Sequence, residues 1–190
     1  MKLSPLSSPT LPHLNRRISC VPLPPVRDDY PLIFVSITPL LGYSPQPILN
    51  FDLRCPPSTI TLTTHRYNLE WHAPATNPPV PHMWIVCRRL PRFLVRASRE
   101  YVTIHDVISA LHDELCLIAS AGDLNGLQQH DRDLVNATYM NRIKAVDDYG
   151  MQMQVEAYGM RKYDFLLGRT LFAGLSKLGS EHDVFVLNVI

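Results

Sequence analysis

Proline is absent from the last 99 of the 190 residues, although 17 prolines crowd between Pro5 and Pro91. Proline removes a backbone donor and breaks helices, so turns and short extended pieces are expected in the first half, while the second is free to be helical. Charge is also scarce: charged residues make up 18% and the net charge is +1. That balance gives no electrostatic reason to expect a nucleic-acid partner or an anionic membrane surface. No apolar run approaches the roughly 18 residues that a membrane span requires, so no membrane partner is expected. The four cysteines, Cys20, Cys55, Cys87 and Cys116, form no CxxC pair. They read as mostly buried free thiols in a reducing compartment, with a structural disulfide as the alternative. Two signatures are missing outright, the G-x-S-x-G nucleophile elbow and the G-x-x-x-x-G-K-S/T phosphate loop.

What is present is apolar. Residues of that kind make up 46% of the chain, enough for a sizeable core in one domain. Charge shifts along it: residues 1–91 carry eight Lys and Arg against four Asp and Glu, and residues 92–190 carry ten against thirteen. No Gly/Ser-rich linker separates the halves, so two domains are not implied. Residues 1–30 are rich in Pro and Ser without an apolar period, and read as a disordered leader before a domain over 31–190. Prolines interrupt every candidate secretory core, and they also oppose the amphipathic helix of a mitochondrial presequence that Arg16, Arg17 and Arg27 faintly suggest. An intracellular location, cytoplasmic or nuclear, is expected.

From Tyr30 onward the texture is that of a folded chain. Residues 48–54 and 59–63 read as strands of a hairpin, the first by its period of two and the second by its β-branched residues. Residues 83–87, apolar on both faces, predict a central strand, followed by another over 93–97. Thr103 and Asp106 spell a capping box before Val107, Ile108, Leu111, Leu115 and Ile118. Ser120 and Asp123 repeat it, and Val135, Tyr139, Ile143 and Val146 carry helix to about residue 146 with a break near Asp131. Residues 151–157 alternate like a strand but contain nothing that opposes helix, so both stay open. Residues 184–189 predict a buried strand.

The stretch Gly159–Leu175 reads as a buried spine whose few charges must find partners. Arg161, Lys162, Asp164 and Arg169 are either a binding patch or an internal ion pair, with Asp164 matched to Arg161 or Arg169. His65 and His72 stand seven apart in a proline-rich region, a spacing that suits no ligand pair. His105 and His112 fall on roughly one face of the first helix, with Asp113 beside the second, but a metal would need a third ligand from elsewhere. Asn136-Ala137-Thr138 spells a glycosylation sequon, which has meaning only in a secreted chain. No catalytic, cofactor-binding or metal-ligating residue is therefore assigned.

Several blocks carry a family resemblance. They are Pro45 to Arg54, Pro56 to Ile60, Pro74 to Pro79, Tyr101 to Val107, Gly159 to Leu175 and Val184 to Val189. In order and spacing they resemble a domain-of-unknown-function family abundant in mushroom-forming basidiomycete fungi, from about Thr38 to the C-terminus. Two positions depart from that pattern: Arg92 stands where the family usually places Trp, and Lys162-Tyr163 replaces Arg-Val. The resemblance implies no activity, substrate or cofactor.

The expected fold is α+β, a mostly antiparallel sheet packed against two or three helices in a single domain. The expected function is a non-catalytic intracellular protein-interaction module with an unknown protein partner and no cofactor. The alternative is an enzyme whose site forms only in three dimensions from His105, His112 or the Arg161/Asp164 group.

Overall fold

Thr103 sets where the first long helix begins. In the computed structural model, which describes residues 34–64, 68–179 and 183–190, the Thr103 hydroxyl accepts from the Asp106 N–H. The Asp106 carboxylate accepts in return from the Thr103 N–H, completing the cap spelled in the sequence. Helix α1 (Ile104–Cys116) then turns Ile104, Val107, Ile108, Leu111 and Leu115 inward on one face. Ser120 and Asp123 repeat the reciprocal cap at α2 (Ala121–Asn125). Helix α3 (Gln129–Lys144) runs unbroken through Asp131; the expected break falls earlier, between α2 and Gln128. Helix α4 (Tyr149–Ala157) is capped by Asp148, whose carboxylate accepts from the Met151 N–H at 2.7 Å. That cap decides the alternating 151–157 stretch in favour of helix. No helix among the described residues is long and apolar enough to cross a membrane.

Ahead of His82, the proline-rich half builds only fragments of strand. The pieces β1 (Ser36–Ile37), β2 (Leu49–Asn50), β3 (Thr61–Leu62) and β4 (Thr76–Asn77) are two residues each. The pairs β2–β3 and β1–β4 are both antiparallel. The expected hairpin over 48–63 is thus present but shortened, because Pro56 and Pro57 lead into a 3-10 turn at Pro57–Thr59. Longer strands make the main sheet: β5 (His82–Val86), β6 (Phe93–Arg96), β7 (Phe172–Lys177) and β8 (Val184–Val189). Their order is β6-β5-β8-β7, with β5 and β8 parallel and the other neighbours antiparallel. As expected, β5 is central and β8 is buried within the sheet. Together with the four helices this is an α+β fold.

Gly159–Leu175, the spine of the sequence reading, is not one element. It holds a 3-10 turn at Lys162–Leu166, then Leu167 and Gly168 at φ 55° and 79°, then the start of β7. Strand β7 was not foreseen. It lies at the edge of the sheet, yet Phe172 to Leu175 are all buried, because Leu41–Ser44 runs along its outer side. The Leu175 N–H donates to the Leu41 carbonyl at 2.7 Å, and the Tyr43 N–H donates to the Leu175 carbonyl at 2.9 Å. A bulge after Phe172 sets Gly174 at φ 113°, where a Cβ would stand 2.4 Å from the Gly42 carbonyl oxygen. The core gathers the inner face of α1 with Met83 and Ile85 of β5, Phe185 of β8, Phe172 of β7, and Leu41 and Phe51 from the coil.

Candidate functional site

Asp164 is the most deeply buried carboxylate among the described residues, at 1% exposure. Its partner is neither Arg161 nor Arg169, as expected from the sequence, but Arg142, which α3 brings in from 22 residues away. The contact is a two-pronged fork: Arg142 Nε donates to Oδ1 and a terminal nitrogen donates to Oδ2, both at 2.9 Å. The same Arg142 nitrogen reaches the Gly159 carbonyl at 3.1 Å, and Oδ2 also accepts from the Arg161 backbone N–H at 2.8 Å. Arg161 sends its guanidinium elsewhere, to the Cys116 carbonyl at the end of α1, at 2.8 Å. Arg169 is exposed, and no carboxylate pairs with it among the described residues. Lys162 pairs with Glu114 of α1, so the sequence cluster of charges is split four ways.

The rings of Tyr139 and Tyr163 each have their centroid 5.3 Å from the Arg142 guanidinium. Burial pushes Arg142 down, but hydrogen bonding and charge from Asp164 outweigh it and hold its pKa above the usual value. Burial also pushes the Tyr163 phenol up, against the pull of Arg142. Beside the pair opens a cleft of about 450 Å³, lined by Arg54, Asn141, Tyr163, Leu167 and Gly168 among others. Arg54 in that cleft is itself clamped by Asp52, at 2.6 Å between a terminal nitrogen and Oδ2. The Arg54 hydrogen bond holds the Asp52 carboxyl below its ordinary range. Each carboxylate here is thus occupied by an arginine, and neither is free to act as a general base.

His105 and His112 have different neighbours. His105 meets Trp71 edge-on at 5.9 Å and His72 at 6.5 Å, while His112 lies at the far end of the same helix. His65 lies outside the described residues. No group of three or more His, Cys, Asp or Glu poised for a metal ion occurs among the described residues. Cys116 and His112, one helical turn from each other, form a pair not expected from the sequence, with sulfur and Nδ1 3.6 Å apart. The same Nδ1 faces the Leu53 carbonyl at 3.3 Å. A carbonyl can only accept, so in the tautomer that bonds Leu53 this nitrogen carries the proton and has no lone pair for the thiol. Burial also raises the Cys116 pKa, which keeps the sulfur a thiol. Cys55, Cys87 and Cys116 are all unpaired, and Cys20 lies outside the described residues.

The most unusual surface is α4. None of its nine residues is buried. Tyr149 is 75% exposed, and Met151 and Met153 are also exposed. Tyr149 and Met153, four apart, share a stripe of the helix. Residues 147–157 carry Asp147, Asp148 and Glu156 and no Lys or Arg. The helix is attached to α3 by Tyr139, whose hydroxyl donates to the Glu156 carbonyl at 3.3 Å. The sequence offered one signal for this surface, apolar Met and Tyr spread around a short helix instead of gathered on one side.

A family model described as "Family of unknown function (DUF6699)" matches residues 49–183. No curated protein and no solved structure matches the chain.

Proposed function

The chain belongs to the DUF6699 family of unknown function, and on that footing we propose that it is a non-catalytic protein-interaction module. The reading includes an intracellular setting, cytoplasmic or nuclear, membership of the fungal group that its sequence blocks resemble, and a division into a leader over 1–30 and a domain over 31–190. The observation that carries it is α4, a whole helix with no buried residue and with Tyr149, Met151 and Met153 turned to solvent. Large apolar side chains in that position have no core to serve, and methionine adapts to irregular partner surfaces. The flanking acids Asp147, Asp148 and Glu156 suit a partner protein whose apolar groove is rimmed by Lys or Arg.

The test is a triple change, Tyr149→Ser with Met151→Ser and Met153→Ser, in the full chain. Affinity purification from the native organism with mass spectrometry identifies the partner, and binding is then measured with both proteins purified. The variant is expected to keep its thermal midpoint and to bind at least about tenfold more weakly. Binding by the wild-type chain is expected to weaken as salt is raised. A variant that binds its partner as tightly as wild type overturns the reading.

A further inference from the structure

A smaller cavity of about 230 Å³ lies where the turn after β5 meets the segment that leads into β7. We propose that it is a binding site for a phosphate monoester, gripped by Arg88, Arg89 and Arg169 over an apolar floor. The floor is made by Phe165, Leu187 and their neighbours. None of the residues that line it belongs to α4, so the proposal stands or falls apart from the interaction reading.

Charge comes first. Three arginines are among the residues that line the cavity. Asp131 neutralises one, accepting from Arg89 Nε at 2.6 Å. That bond occupies Nε and holds the side chain in place, and the terminal nitrogens remain as further donors. Arg88 and Arg169 have no carboxylate partner among the described residues. The uncompensated charge is therefore close to that of a phosphate monoester dianion at neutral pH and about twice that of a carboxylate.

Backbone conformation is the second, independent observation. Among the described residues two that are not glycine have positive φ, Arg89 at 72° and Leu167 at 55°, and both line this cavity. Side chains resist that region, and strain of this kind collects where a binding geometry has to be held. Arg89 and Leu167 fall in the two segments, 87–89 and 165–169, that supply all three arginines. The Cys87 thiol in the wall is pushed up to about 12 by burial, so it is no nucleophile, and the site holds its ligand without transforming it. A phosphate here has two possible carriers, a free small molecule or a phosphorylated side chain of another protein.

Calorimetric titration of the full chain with phenyl phosphate tests the site, with inorganic phosphate and benzoate as comparisons. Phenyl phosphate is expected to bind more tightly than either. Arg88→Gln and Arg169→Gln change exposed residues without disturbing the Arg89–Asp131 pair, and each is expected to weaken it at least about tenfold. Benzoate binding as tightly as phenyl phosphate, unchanged affinity in both variants, or no saturable heat up to about 10 mM would overturn the proposal. A phosphotyrosine peptide bound much more tightly than phenyl phosphate identifies a partner side chain as the carrier; equal affinities identify a small ester. Either result upholds the phosphate site.

Discussion

Helices α1 and α3 are of similar length, yet they are fastened to the fold by different physics. Helix α1 turns five side chains into the core and is held by apolar burial. Helix α3 buries only Val135 and Ile143. Its attachment is ionic: Arg142 forks onto Asp164, and Asp131 takes Arg89. Helix α4 hangs from α3 and has no buried residue of its own. An apolar face tolerates salt and many substitutions of similar volume, whereas a buried ion pair tolerates neither the loss of one partner nor its protonation. The half of the molecule that carries the proposed interaction surface is thus the half that charge holds in place.

The strongest way to break this contrast is Asp164→Ala. It strands the Arg142 guanidinium and is expected to cost about 3–5 kcal/mol in chemical denaturation. Hydrogen exchange should accelerate over α3 and α4 before α1. Equal acceleration in all three helices would erase the distinction. Replacing Arg142 and Asp164 together with Met and Leu should cost less than the sum of the single changes.

Next in size, Leu111→Ala removes a fully buried side chain from α1 and is expected to cost about 2–5 kcal/mol, nearly independent of salt. A strong salt dependence would show that α1 is not held by burial alone.

A smaller effect belongs to the caps. Thr103→Ala should cost about 1 kcal/mol. Burial raises the Asp106 and Asp123 carboxyls, but hydrogen bonds from Thr103 and Ser98 to the first, and from Ser120 to the second, outweigh it and leave both pKa values lowered. A carboxylate depressed in the folded state lends stability above its unfolded value of about 3.9, and this is lost as pH falls through the folded value. Acid denaturation below about pH 4 should therefore be shallower in the Asp106→Asn, Asp123→Asn double variant. An unchanged acid limb would remove the caps from the account.

The smallest expected change is at α4, where Met151→Ser with Met153→Ser should shift stability by no more than about 0.5 kcal/mol each. A larger loss would show that α4 rests on an apolar surface after all.

Much of α1 was legible because its signals are local: a cap, a periodic face and an absence of proline lie within thirteen residues. The same is true of β5 and β8, whose apolar runs fit strands buried on both sides. The ionic side was not legible. Asp164 has Arg161 and Arg169 near it in sequence, and only the folded chain shows that α3 supplies the partner. Strand β7 was hidden for a related reason. An edge strand is expected to alternate, but Phe172 to Leu175 are all buried, and the strand, Phe-Ala-Gly-Leu-Ser-Lys, has no β-branched residue to mark it. The two-residue strands depend on pairings across as many as 41 residues, which no short window contains. For α4 the deciding residue was Asp148, just outside the alternating stretch.

Gly174 has a consequence for behaviour in solution. An open strand edge is a template on which other chains can add, and β7 would be such a template without the backbone of Leu41–Ser44 laid along it. The close approach at Gly174 lets that cover seat, since any side chain there would collide with the Gly42 carbonyl. Part of the proline-rich half thus works as a guard against polymerisation, and Gly174→Val should uncover the edge, so that light scattering finds the variant self-associating through its own sheet.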